Sequence, residues 1–366
     1  MHWTSRRSRS TSRASRNRKA CHCATIRRRA LAWPSEARDY AMSMHTKTLT
    51  VRFLSPAFLG DAEQRGAWRT PPFKAQLRQW WRLVLAVRGR DWGRIRGEEA
   101  ELFGNAWPDQ KAMKSQIRLR LGEWRVSDKQ VNRSISGNVD ALIYLGYGRF
   151  DRNPQAKPAI DAGETAQLRI AWPAAAANGS NRIEEALALM SRFGTVGGRS
   201  RNGWGSYVLD GARDAVWNDY LIYWRDALCS DWVRGIGRDE RGPLIWRTRD
   251  SWPSWDKVLQ QLARVRATIA KESADRCLLS YPVTKHALPG WSARDRLPNS
   301  LRLKVVEDTH GRLHGELIHF PCRPSDALWN KMPESDAADK KRRLIDVWTD
   351  AHKYLDEENA LERVNA

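Results

Sequence analysis

Two stretches of this chain bring together residue types suited to holding an anion. Lys74, Arg78 and Arg82 recur every four residues with Trp80 beside them, and Arg65 and Arg69 lie just upstream. Further on, Gly194, Gly197, Gly198, Gly203 and Gly205 surround Arg199, Arg201 and Trp204. Four-residue steps place cations on one stripe of a helix. Glycines let a backbone approach a ligand and adopt positive φ, and arginines grip phosphate through two parallel hydrogen bonds. No GK[ST] follows the glycines, so the segment is not a Walker loop, and it does not open a helix as a dinucleotide fingerprint would. Cations, glycines and an aromatic between a helix and a strand suit a cradle for single-stranded nucleic acid. The plainer readings are a mobile, solvated loop, tryptophans that belong to a core, and arginines paired with Glu98, Glu99 or Glu101. Trp81 is expected inside; Trp80 is left open.

Both stretches need elements to carry them. Residues 48–54 (TLTVRFL) alternate and are β-rich, which predicts a strand. A turn at Gly60 and Asp61 leads to Pro71 and Pro72, and a helix starts there because proline is tolerated in the first turn. Phe73, Leu77, Trp81, Val84 and Val87 then mark its apolar face. Residues 89–112 read as irregular. In 115–124 (SQIRLRLGEW) a half-exposed strand shows Arg118 and Arg120 on its outer face. Residues 141–148 (ALIYLGYG) read as a buried strand and 167–172 as another. Asn181 is expected to cap a helix carrying Ile183, Ala186, Leu187, Met190 and Phe193. Strand, helix, strands, helix, strand is the ferredoxin-like order. The second half repeats the theme less clearly. Helices are expected over 215–229, 254–271 and 336–361, and strands over 301–306 and 313–320, with Thr309-His310-Gly311 as the hairpin turn. The fold class is therefore α+β.

Charge narrows the partner. The 366 residues carry a formal net charge of +21, which points to a polyanion. Residues 1–43 hold eleven Lys/Arg against Glu36 and Asp39, a net +9; they are Arg/Ser-rich, aperiodic and expected to be disordered. Met42 and Met44 precede the first strand, so this tail reads as an upstream stretch ahead of the true start, with a nucleic-acid-binding arm as the functional alternative. Without it the rest still carries +12. No apolar run approaches the ~20 residues that span a bilayer, and no membrane partner is expected. Five cysteines, odd in number and without a CxxC pair, fit a reducing cytosol. Cys21-His22-Cys23 is too cramped to wrap a tetrahedral ion and has no second ligand pair, so neither metal nor cofactor is expected.

Residues 53–82 (FLSPAFLGDAEQRGAWRTPPFKAQLRQWWR) and 193–207 (FGTVGGRSRNGWGSY) resemble the RAMP superfamily of CRISPR proteins, nearest to the first RAMP subunit of the type III-B (Cmr) effector complex. The resemblance is specific over 49–209 and weak beyond. It implies two tandem ferredoxin-like (RRM-like) domains, 44–210 and 211–366 with a closing helix, behind the 1–43 tail. It also implies a cytoplasmic ribonucleoprotein subunit that contacts guide RNA, target RNA and other subunits of the complex. The expected RNA contacts are Arg65, Arg69, Lys74, Arg78, Trp80, Arg82, Gly197, Gly198, Arg199, Arg201 and Trp204, in one trough. The alternative is a metal-independent RAMP endoribonuclease. Asp61 follows the first strand, while His286, His310, His314 and His319 sit in no motif, so no catalytic residue is assigned.

Overall fold

A computed structural model describes residues 43–63, 65–89, 91–107, 111–127, 131, 137–150, 157–174, 177–273, 275–283 and 286–365. The basic tail, Cys21-His22-Cys23 and Met42 lie outside these residues. Strand β1 (Met44–Phe53) turns Leu49, Val51 and Phe53 inward, as its alternation requires. Helix α1 (Thr70–Ala86) begins on Pro71 and Pro72. Residues 89–112 are not irregular: α2 (Trp92–Phe103) is capped by the Asp91 carboxylate and buries Ile95, Ala100, Leu102 and Phe103. Next come β2 (Arg118–Leu121), with Arg118 and Arg120 exposed, and α3 (Val139–Gly146). The expected strand at 141–148 is thus a helix, capped by Asn138, whose side chain accepts from the Ala141 amide. Strand β3 (Thr165–Pro173), α4 (Ala177–Phe193) and β4 (Tyr207–Asp210) complete the first sheet. Asn181 lies within α4 instead of capping it.

The first sheet is antiparallel, in the order β2-β3-β1-β4, and α1 packs against α4. The second half builds β5 (Ile245–Thr248), α5 (Trp255–Glu272), β6 (Leu301–Glu307), β7 (Leu313–His319), α6 (Glu334–Glu357) and β8 (Leu361–Arg363). Its sheet is antiparallel too, in the order β6-β7-β5-β8. Each half therefore strings its strands identically, the second and third pairing with each other and the first lying between the third and the fourth. Residues 215–229 do not form the expected helix: they hold a 3-10 turn (Asn218–Tyr220), a short strand (Leu221–Tyr223) and a one-turn helix (Trp224–Ala227).

The halves are joined by buried charge. Lys304 on β6 is 1% exposed and donates to the carbonyls of Ser191, Gly194 and Tyr207 at 3.1, 2.7 and 2.8 Å. It caps the C-terminal end of α4, where helix carbonyls have no partner within the helix. Nearby, the fully buried Glu316 of β7 takes Arg192 of α4 at 2.6 Å and Arg247 of β5 at 2.8 Å. Lys304→Met is expected to strand these carbonyls and to cost at least about 2 kcal/mol of stability, read by urea denaturation.

A second buried pair adds acid sensitivity. His352 of α6 bonds His319 of β7 at 2.9 Å among Trp224, Trp246 and Trp348. Burial pushes His352 down to about 3, and burial with the neighbouring His352 lowers His319 as well. The unfolded imidazoles take up protons near pH ~6.5 and the folded ones do not, so this stability is complete above that pH and is lost as pH falls toward about 3. The denaturant midpoint should drop between about pH 7 and pH 5, and less steeply in a His319→Phe/His352→Leu variant.

Candidate nucleic-acid interface

The glycine-rich loop leaves α4 at Phe193 and returns into β4 through a bridge between Thr195 and Ser206. Gly197, Gly203 and Gly205 take φ of 95°, 86° and 62°, and Arg199 itself sits at 58°. A Cβ on Gly205 would fall 1.9 Å from the Val196 carbonyl oxygen, and one on Gly197 2.8 Å from that of Phe58. Here only glycine fits. The loop is anchored on both sides. Gly198 and Gly205 donate to Phe58 and Pro56 at 2.9 and 2.8 Å, and Leu303 of β6 donates to the Arg201 carbonyl at 3.0 Å. Beneath, the Ser55 and Ser206 hydroxyls both reach the Gly203 carbonyl. Trp204 corrects an expectation: it is fully buried against Phe58, Phe150 and Trp255, so it anchors the loop and presents no face to a base.

On its outer side this loop walls a cleft of about 980 Å³. Arg199 and Arg201 come from the loop, Tyr144 from α3, Arg266 from α5, and Arg276, Tyr281 and Arg296 from the segment before β6. Asn202 ties the wall together, donating to the Leu145 carbonyl at 2.8 Å and accepting from Arg266 at 2.5 Å. Arg199 donates to the Tyr147 carbonyl at 2.8 Å. Among the described residues none of the five arginines makes an ion pair with a carboxylate. Burial lowers the pKa of Arg266, and burial with the neighbouring Arg149 lowers that of Arg199. Such uncompensated cations gain from an anion entering the cleft. Arg266, Arg276 and Arg296 escaped sequence reasoning because nothing in their local pattern marks them.

The cationic stripe of α1 is spent differently. Arg78 and Arg82 both form ion pairs with the buried carboxylate of Glu99, at 2.8 Å from Arg78 Nε and 2.7 Å from Arg82 Nη2. Arg78 also donates to the Gly104 carbonyl at 2.8 Å and lies over Phe103. Lys74 donates to the Ser115 hydroxyl at 2.7 Å. Arg65 pairs with Asp61 at 2.8 Å, and Arg69 donates to the Gly60 carbonyl. Trp80 is 1% exposed, packed on Phe193 and Phe320, which excludes base stacking there. The niche beside Arg78 and Arg82, about 510 Å³, shares no lining residue with the cleft. The single trough expected from the sequence is therefore replaced by two separate cavities, because Glu99 draws the helix arginines onto α2. Gly197 and Gly198 shape the loop without lining the cleft.

The stretch from residue 50 to 208, from within β1 to within β4, matches the model of the RAMP superfamily. No curated protein sequence matches the chain. Among solved structures, Cmr1 from Pyrococcus furiosus in its apo form is similar at a TM-score of 0.44 and 17% identity, over 75% of this chain and 88% of that one. A chain of the type III-B Cmr-beta complex bound to cognate target RNA is similar at a TM-score of 0.47 and 10% identity, over 84% of this chain and 99% of that one.

The stretch matched by that model supplies the glycine-rich loop and α3, while the remaining cleft walls come from the chain after it. The acids and histidines noted in the sequence lie apart from the cleft walls. Asp61 is held by Arg65, His314 contacts Asp308 and the Thr248 carbonyl, and His319 is buried with His352. No cluster of three or more His, Cys, Asp or Glu able to hold a metal occurs among the described residues, and no helix among them is long and apolar enough to cross a membrane. An Arg78→Ala/Arg82→Ala variant leaves Glu99 buried and unpaired. It is expected to lose about 3 kcal/mol in urea denaturation.

Proposed function

We propose that this chain is an RNA-binding structural subunit of a cytoplasmic type III-B CRISPR (Cmr) ribonucleoprotein effector complex, where it contacts guide RNA and target RNA beside other subunits. One observation carries the reading: five arginines that make no ion pair with a carboxylate among the described residues converge with tyrosines on a cleft whose inner wall is the glycine-rich loop of the stretch matching the RAMP model. Arginine supplies planar, bidentate phosphate contacts, and the exposed rings of Tyr144 and Tyr147 offer stacking surfaces for unpaired bases. Arg199 and Arg201 serve as the central contacts, with Arg266, Arg276 and Arg296 extending them. Arg65, Arg69, Lys74, Arg78 and Arg82 hold the loop after β1 and the α1–α2 contact in shape.

The reading includes two tandem ferredoxin-like halves, 44–210 and 211–366. The strand order common to both sheets supports it, and so does the antiparallel pairing throughout. Binding of labelled single-stranded RNA, followed by fluorescence anisotropy across a salt series, tests the function. An Arg199→Ala/Arg201→Ala variant is expected to bind about tenfold more weakly at moderate salt. Its log–log salt slope should be shallower by about 1.4, roughly 0.7 for each phosphate that the variant no longer neutralises. Unchanged affinity and slope in a folded variant would refute the proposal.

A further inference from the structure

The cleft does not stop at Tyr144. That side chain, 45% exposed, also lines a second cavity of about 400 Å³ between α3 and α5. Helix α5 is the partition. Arg266 faces the cleft, whereas Gln260, Gln261 and Arg264 face the second cavity with Lys257, and Trp252 lies at its side. The groove has a fixed frame, since Gln260 accepts from the Asn138 amide at 3.1 Å and thereby ties α5 to the start of α3. Within it Gln261 makes no side-chain hydrogen bond, and Arg264 makes no ion pair, among the described residues. A guanidinium, an ammonium, carboxamides and an indole line it, and among the described residues no carboxylate does. That set suits a ribose-phosphate chain with unpaired bases, phosphates taking the cations and base edges the amides. An acidic peptide would use the cations alone.

We infer that this groove continues the RNA track: a strand seated in the cleft passes over Tyr144, and its next nucleotides lie between α3 and α5 with a phosphate against Arg264. The inference rests on the RNA-binding reading above, which places the strand in the cleft.

Oligonucleotide length separates the two claims. Anisotropy would be measured on the full chain with fluorescein-labelled oligouridylates of about four and about ten nucleotides, lengths bracketing a short and an extended single-strand site. The wild type should bind the longer probe at least about tenfold more tightly, given ~1–3 kcal/mol for each additional stacked base. In Arg264→Ala/Gln261→Ala, where alanine preserves the helix, the short probe should bind as before. The advantage of the long probe should shrink to about threefold or less. An undiminished advantage in that variant would overturn the groove while leaving the cleft intact. Failure of the wild type to bind either probe would overturn the RNA reading and the groove with it.

Discussion

An ammonium buried between two sheets organises this molecule. Lys304 is donated by the second half to helix carbonyls of the first, and beside it Glu316 binds arginines from both halves. Burying such charges is costly unless every one finds partners. Here the partners come from opposite sides of the joint, so neither half satisfies its own polar groups alone. The glycine-rich loop starts at that joint and is pinned on one side by the segment after β1 and on the other by β6. The shape of the cleft is consequently a property of the pair of halves.

Positive charge is abundant throughout this chain, and what distinguishes one surface from another is whether a carboxylate has already claimed it. Glu99 neutralises part of the α1 stripe and turns it into a packing device that clamps α2. The cleft arginines come from several elements, and none makes an ion pair among the described residues. In the cleft, by contrast, cations not engaged by acids converge on one cavity.

Much of the first half was legible. Alternation revealed β1, β2 and β3, the paired prolines marked the start of α1, and the glycine spacing marked the loop. The failures have physical causes. ALIYLGYG is a short apolar run, for which helix and strand are indistinguishable by period, and the Asn138 cap decides for helix. In α2, Gly93 and Gly97 hid a helix that tertiary burial of Ile95 and Phe103 stabilises. Strand β5, IWRT, is too short to show a pattern and is held by neighbours on both sides. The tryptophans misled most directly. Trp80 and Trp204 look like stacking platforms beside cations, yet the second half covers both. Arg266, Arg276 and Arg296 were unreadable as a site because the proximity that defines them exists only after folding.

The pairing of β5 between β7 and β8 has a consequence for biosynthesis. A chain emerging from the ribosome completes its first sheet once β4 appears, but the lysine that caps α4 is made much later. The strand that closes the second sheet, Leu361–Arg363, is later still. Until β6 is made, the loop over the future cleft lacks its second anchor. The cationic cleft is thus completed late in synthesis, only once β6 and α6 have been made.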